Sequence, residues 1–234
     1  MIDEKKLFTE IANSLTQKEL KDYILKYCRN EKSQIITFLN YFENKINIDL
    51  KSKYVFLIDL TLEGIINSRS RFLIDPKKCT KGLKPIFNLL KEKQSSYVQK
   101  PYDAFLVSTY ILERFSPLYE YFYTVRKFDI AERLLFNCVE IIESIYYCKD
   151  VPYEFKDEIF KFILEFVQES YFSDNKYYMD SKVDIYLLKV LCKNSQKDKI
   201  DLIDEAINKK LEVKTLDETK RKIIENIRGK LFEW

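Results

Sequence analysis

The residues of this chain that could most clearly support catalysis or metal binding are carboxylates at helical spacing. Glu140 and Glu143 lie three residues apart, and Glu154 precedes Glu158 by four, so each pair would share one face of a helix. Two carboxylates on one face can ligate a di-metal centre, but the usual site in a helical bundle also needs Glu-x-x-His. The chain contains no histidine. The pairs therefore favour a solvated helical face over a di-metal oxidase.

The absence of histidine also limits the other enzyme classes. Ser-His-Asp and Cys-His nucleophile activation and the zinc-protease helix motif all need an imidazole. An enzyme built from this chain would have to use Asp, Glu, Lys or Tyr alone. We rank such a His-independent enzyme last among the functions considered, and we predict no catalytic residue.

Cysteine and glycine provide no recognisable site. The five cysteines are widely spaced and form no Cys-x-x-Cys pair, so we expect small buried side chains rather than structural zinc. Cys138 and Cys148 would lie about 15 Å apart on one helix, too far for a disulfide. The three glycines are isolated, which excludes the usual phosphate-binding loop. We predict no metal and no cofactor.

An aromatic cluster beside cations is the strongest binding candidate. It lies between Ser116-Pro117 and Lys127–Asp129 and comprises Tyr119, Tyr121, Phe122, Tyr123, Arg126 and Phe128. Tyrosine and arginine are enriched at protein interfaces, and aromatic rings beside cations can also stack on bases. The alternative is that alternate members fill the core while a tyrosine rim reaches water. We expect this stretch to form the turn of a helical hairpin and to contact any partner.

Basic residues between positions 69 and 84 are the candidates for a second class of ligand. A nucleic-acid site would use Arg69, Arg71, Lys77, Lys78, Lys81 and Lys84. Phosphate binding requires such charges to converge on one surface, and sequence alone does not establish convergence. Solvated helix faces are the alternative interpretation.

The composition of the 234-residue chain, with 46% hydrophobic residues, is typical of a globular protein. The 40 basic and 37 acidic residues nearly balance, which gives no overall case for nucleic acid or membrane. No apolar run approaches the roughly 18 residues of a membrane span. The opening MIDEKKLFTE is not a secretory segment, so we expect a reduced cytoplasm. Richness in Lys, Ile, Asn and Tyr is typical of an AT-rich genome.

The stretch FDIAERLLFNCVEIIESIYY, residues 128–147, is predicted to be the central helix. Its apolar residues recur at helical spacing and form a face broad enough to touch more than one neighbour. They are Ile130, Ala131, Leu134, Leu135, Cys138, Ile141, Ile142, Ile145 and Tyr146. We expect Asp129 to cap the start of this helix.

Similar patterns on both sides predict an all-α fold of about ten helices. We expect stacked antiparallel helical hairpins, a degenerate α-solenoid-like repeat, with a compact orthogonal bundle as the competing architecture. Thr16 with Glu19, and Thr215 with Glu218, fit the capping box of a helix N-terminus. Gly64 is expected to mark close helix packing. Residues 1–234 would form a single domain, with a small N-terminal helical subdomain at 1–45 left open.

The order of these helices resembles a known family. LTQKELKDYILKYCRNEKSQIITFL and DIAERLLFNCVEIIESI, with the helices between them, resemble the helical region that accompanies SWIM-type zinc-finger proteins. The similarity covers about residues 15–173 as a pattern of helix lengths and apolar positions. The zinc finger itself, which needs three Cys and one His, is absent. The resemblance therefore implies a helical module that acts through protein contacts.

These observations favour a non-catalytic protein-protein interaction module, either a scaffold or adaptor or an inhibitor of a partner protein. The partner would be another protein or a peptide laid in a groove. A nucleic-acid-associated accessory protein that uses the basic residues around 69–84 is the alternative. No membrane partner is expected.

Overall fold

A computed structural model describes residues 16–19, 22, 50–66, 74–168, 183–193, 199–212, 216 and 218–231. The chain divides into two compact units, Met1–Lys53 and Tyr54–Trp234. The predicted subdomain boundary at residue 45 lies outside the described residues. The fold is all-α, as predicted, and no strand occurs in the ranges just given.

The described helices follow one another with short connections. In chain order they are α1 (Leu50–Ile65), α2 (Pro76–Gly82), α3 (Lys84–Ser96), α4 (Pro101–Phe115), a 3-10 turn (Ser116–Leu118), α5 (Tyr119–Thr124), α6 (Phe128–Tyr147), α7 (Tyr153–Gln168), α8 (Val183–Cys192), α9 (Ile200–Leu211) and α10 (Glu218–Leu231).

Local sequence signals explain where several helices begin. Thr16 and Glu19 form both bonds of the predicted capping box, with Thr16 N–H donating to Glu19 Oε2 at 2.9 Å and Glu19 N–H donating to Thr16 Oγ1 at 3.3 Å. Asp75 caps α2 by accepting the Lys77 N–H at 2.9 Å. Pro101 occupies the first turn of α4, where its missing N–H costs nothing. Thr215, in the second predicted box, lies outside the described residues.

Helix α6 lies at the centre of the second unit, as its pattern predicts. Eight of the nine apolar residues predicted to face inward are buried, and Tyr146 is half-buried. The N-cap is Lys127 without a side-chain bond, so the prediction that Asp129 caps this helix is wrong. Asp129 instead lies in the first turn, where its carboxylate interacts favourably with the helix dipole.

Helices in the second unit pack mainly on near neighbours in sequence. Helix α3 contacts α4, α4 contacts α6, and α6 contacts both α7 and α8. The same order continues with α7 on α8 and α9, α8 on α10, and α9 on α10. Most of these contacts join a helix to one of the next two in the chain, as in stacked hairpins, but α3 also contacts α6, three helices further on.

An ion pair links the helices of the C-terminal part. Lys210 on α9 lies 2.7 Å from Asp184 on α8, and their side chains are only 5% and 2% exposed. Lys210 also donates to the carbonyl of Val167 on α7 at 3.3 Å. One buried lysine therefore ties three helices together, and its charge is compensated inside the fold.

Close packing at a glycine occurs at a different position from the one predicted. Gly64 is exposed, and a Cβ there would meet nothing within 4 Å, so the expectation of close packing at Gly64 is wrong. A Cβ at Gly82 would instead collide with Cγ2 of Ile65, a fully buried β-branched side chain. Gly82 thus permits the end of α2 to approach the end of α1.

We predict that Gly64→Ala and Gly82→Ala change stability in opposite directions. Gly64→Ala should raise the free energy of unfolding by about 0.5–1 kcal/mol, because alanine is the better helix former. Gly82→Ala should lower it by about 1–3 kcal/mol through overpacking. Urea unfolding of the two variants checks the prediction, and equal stabilisation by both would contradict the close approach at Gly82.

We also predict that Leu134→Ala lowers the free energy of unfolding by about 2–5 kcal/mol, because Leu134 is fully buried in α6. Glu140→Ala on the exposed side of the same helix is the matched control and should change stability by less than about 0.5 kcal/mol. Chemical denaturation measures both. Equal small effects would mean that this face of α6 is not the core.

Candidate protein-binding site

The joint between α5 and α6 is the best-defined candidate site. The Lys127 N–H donates to the Phe122 carbonyl at 2.8 Å, and the Arg126 N–H donates to the Tyr123 carbonyl at 2.9 Å. This pair of bonds is the Schellman motif, which ends a helix with one residue in the left-handed conformation. That residue is Arg126, with φ of 56°.

Arginine is an unusual residue for this position. Glycine normally occupies it, since a side chain in the left-handed region costs about 1–2 kcal/mol. Arg126 is the one non-glycine residue with positive φ in the described part of the chain. Its side chain is exposed and forms no ion pair with the residues that the structure describes. The left-handed backbone therefore has a cost in free energy, and it places at the surface a cation that no described residue neutralises.

Three aromatic side chains lie at the surface near Arg126 in sequence. Tyr121, Tyr123 and Phe128 are 38%, 37% and 43% exposed. The rings of Tyr123 and Phe128 meet across the joint with centroids 5.8 Å apart. We define Tyr121, Tyr123, Arg126 and Phe128 as the joint surface.

Two of the six predicted contact residues do not belong to this surface. Tyr119 is 1% exposed and Phe122 is fully buried, so their proposed contact with a partner is wrong. Phe122 stacks on Phe115 of α4 with centroids 6.2 Å apart. Spacing explains the split, because Tyr119 and Phe122 are three residues apart and share the inner face of α5.

The lysines predicted for nucleic acid lie on α2 and at the start of α3. All four, Lys77, Lys78, Lys81 and Lys84, are exposed. Lys78 lies 3.9 Å from the Asp75 carboxylate, while the other three form no ion pair within the described ranges. Arg69 and Arg71 lie outside the described residues.

Sequence reasoning missed a small pocket at the ends of α1 and α4. It has a volume of about 270 Å³, and it is lined by Asp59, Leu62, Glu63, Ile66, Glu113, Arg114, Pro117 and Leu118. Asp59 accepts from Arg114 Nε at 2.8 Å and from the Tyr110 hydroxyl at 2.9 Å. Burial, followed by donation to Asp59, raises the pKa of Tyr110 to about 12. No single-sequence pattern pairs residues about fifty positions apart.

Asp59 and Arg114, which line this pocket, form hydrogen bonds with each other, and Asp59 also binds the nearby Tyr110. Asp59 is held by two donors, which leaves neither Tyr110 nor Arg114 as an activated group. A raised pKa keeps the Tyr110 hydroxyl protonated, so it is a poor base near neutral pH. The arrangement favours a structural link between α1 and α4 over catalysis.

Other buried or half-buried cations are also paired. Lys199 lies 2.8 Å from Asp157 and 4.5 Å from the ring centroid of Phe160. Hydrogen bonds from Lys199 and Lys161 lower the pKa of Asp157. Lys93 donates to the Tyr54 hydroxyl at 2.7 Å. Each contact links two helices or orders a helix start, which is a structural role.

The described residues show neither a metal-binding cluster nor a membrane-spanning helix. The described residues contain no group of three or more Cys, Asp or Glu side chains placed to hold a metal ion. Within the same residues, each helix is too short or too polar to cross a bilayer.

Comparison with known proteins does not assign a family. No protein-family model matches the chain. No curated protein and no solved structure matches it either. The resemblance to the helical region of SWIM-type zinc-finger proteins stays a prediction.

We predict that Arg126→Gly raises the melting temperature. Glycine removes the cost of the left-handed backbone, which corresponds to a gain of about 1 kcal/mol in the free energy of unfolding. Arg126→Ala is the matched control, because it also removes the guanidinium but keeps a Cβ at positive φ, and it should not stabilise. Differential scanning calorimetry measures both, and equal melting temperatures for the two variants would contradict backbone strain at Arg126.

Proposed function

We propose that this protein is a non-catalytic helical module that binds another protein through the joint surface. The observation that carries the proposal is the guanidinium of Arg126, which belongs to a left-handed residue, is exposed and forms no ion pair with a described residue. Three exposed aromatic rings lie beside it in sequence. Backbone strain at a surface residue without a packing role is typical of functional positions.

The chemistry of the joint surface suits a protein partner. Tyrosine and phenylalanine provide large contact area at low cost in conformational entropy, and arginine binds carboxylates with two parallel hydrogen bonds. Such residues dominate the binding energy of many protein interfaces. The joint is held by the Schellman bonds and by the buried rings of Tyr119 and Phe122, so the surface is largely ordered before binding. Preorganisation lowers the cost of association.

The joint surface fits a scaffold or adaptor as well as an inhibitor that occludes its partner. Nucleic-acid binding is the second candidate function, favoured by the exposed lysines of α2 and α3. An enzyme ranks last, because Asp59, Tyr110 and Arg114 bind one another at the pocket where catalysis would be expected.

Site-specific photocrosslinking tests the proposal. We expect benzoylphenylalanine at Tyr121, irradiated in cells of the source organism, to give a discrete crosslinked protein. The same group at Tyr186 on α8, which is 43% exposed, is the matched control and should not give that product. Arg126→Gly in the Tyr121 variant should reduce the yield, because it removes the cation without harming the fold.

Two results would count against a binding role for the joint. One is the same set of crosslinked products from positions 121 and 186. The other is an unchanged yield after Arg126→Gly, which would leave the guanidinium without a contribution.

A further inference from the structure

A row of lysines lies on one face of α2 and the start of α3. Lys77, Lys81 and Lys84 are spaced at i, i+4 and i+7, which places them on the same side of a helix over about 10 Å. The break at Leu83 is slight, since its backbone is right-handed helical and its N–H still donates to the Cys79 carbonyl at 3.0 Å. The opposite side is buried through Cys79, Leu83 and Ile86.

Nothing in the described part of the chain neutralises this row. The three lysines form no ion pair with a described residue, and Asp75 is paired with Lys78 instead. Like charges at i, i+4 weaken a helix by a few tenths of a kcal/mol. The row therefore resembles Arg126, because both are uncompensated surface cations at a small cost in stability.

Packing brings α2 and the start of α3 towards the joint. Helix α3 contacts α6, and the guanidinium of Arg133 lies 4.8 Å from the ring centroid of Phe87. Burial raises the pKa of the Cys79 thiol, and the positive charge of Lys127 partly offsets that effect. Lys127 is the residue next to Arg126, so the joint lies near the Cys79 side of α2. The lysine row lies on the other side of the same short helix.

We propose that the lysine row extends the joint surface and that the segment bound there is an acidic peptide of a partner protein. This inference rests on the proposed function and names the partner's chemistry. Carboxylates of the peptide would meet Lys77, Lys81, Lys84 and Arg126, and its apolar side chains would contact Tyr121, Tyr123 and Phe128.

A peptide fits this surface better than a nucleic acid does. Glu120, Asp129 and Glu132 carry negative charge close in sequence to the joint aromatics, and Asp129 is exposed. A strand with a phosphate at every residue would meet these carboxylates with repulsion. A peptide can place its glutamates on the lysines of this protein and its apolar side chains beside Glu120, Asp129 and Glu132.

Fluorescence anisotropy with defined probes tests the inference. The probes are a fluorescein-labelled peptide that alternates glutamate and phenylalanine, its counterpart with glutamine for glutamate, and labelled single-stranded polyuridylate. We expect the acidic peptide to bind the wild-type chain at low ionic strength more tightly than the other two probes. Binding should weaken as salt is added, because exposed charges are screened.

Charge-neutral variants locate the binding site. The triple change Lys77→Gln, Lys81→Gln and Lys84→Gln should raise the dissociation constant of the acidic peptide by about tenfold, because each exposed ion pair contributes modestly. The matched control is Lys100→Gln, Lys149→Gln and Lys230→Gln, which removes three exposed charges elsewhere and should leave binding within about twofold. Circular dichroism verifies that both variants keep their helical content.

The outcomes separate this inference from the proposed function. Suppose that Arg126→Gly weakens binding of the acidic peptide and the triple lysine change does not. That result would overturn the acidic-peptide inference but would still support binding at the joint surface. Tighter binding of polyuridylate, lost in the lysine triple, would overturn it in favour of nucleic acid. Binding that none of these variants changes would overturn the inference, because the acidic peptide would then bind elsewhere on the chain. No binding of the acidic peptide at low salt would overturn the inference alone, since crosslinking tests the joint independently.

Discussion

The apolar contact between α6 and α4 is the constraint on which the rest of the second unit depends. The inner residues of α6 are almost fully buried, and α3, α4, α5, α7 and α8 all pack against this helix. Tyr102 near the start of α4 meets Phe155 near the start of α7, with centroids 5.8 Å apart. Because α7 begins soon after α6 ends, α4 and α6 must run in opposite directions. Their connection therefore returns at one end, which is where the joint surface forms.

Buried ion pairs and their hydrogen bonds are directional interactions within a core that is otherwise apolar. Apolar contacts would tolerate small rotations of α7, α8 and α9, but the Lys210–Asp184 pair is satisfied in few arrangements. Replacing such a pair by apolar residues is often neutral in stability, whereas removing one partner is costly. We infer that the pair specifies how these helices meet more than it stabilises them. The Asp59 contacts with Tyr110 and Arg114 also link α1 and α4, but Asp59 and Arg114 are partly exposed, so this link constrains the helices less.

Sequence patterns predicted the features that depend on local spacing, such as helices and their caps. They failed for packing and burial, which depend on residues distant in sequence. Helix α6 and the Thr16–Glu19 capping box follow from residues within one or two turns, and both are confirmed. The prediction of close packing at Gly64 was wrong, because such packing depends on which other helix approaches the glycine. Ile65 approaches Gly82 instead. Burial of Tyr119 and Phe122 needed the orientation of α5 on the core, which a six-residue helix does not reveal by its own periodicity.

Arg126 shows why a strained surface residue says more about binding than an exposed aromatic ring. Exposed tyrosines are common on folded proteins and cost little, so their presence alone does not indicate a partner. A left-handed arginine costs stability, and neither packing nor an ion pair with a described residue offsets that cost. Glycine would end α5 with the same two hydrogen bonds at a lower free energy. What the side chain adds is an exposed cation close in sequence to the exposed rings of Tyr121, Tyr123 and Phe128, which suits the proposed contact with an anionic group.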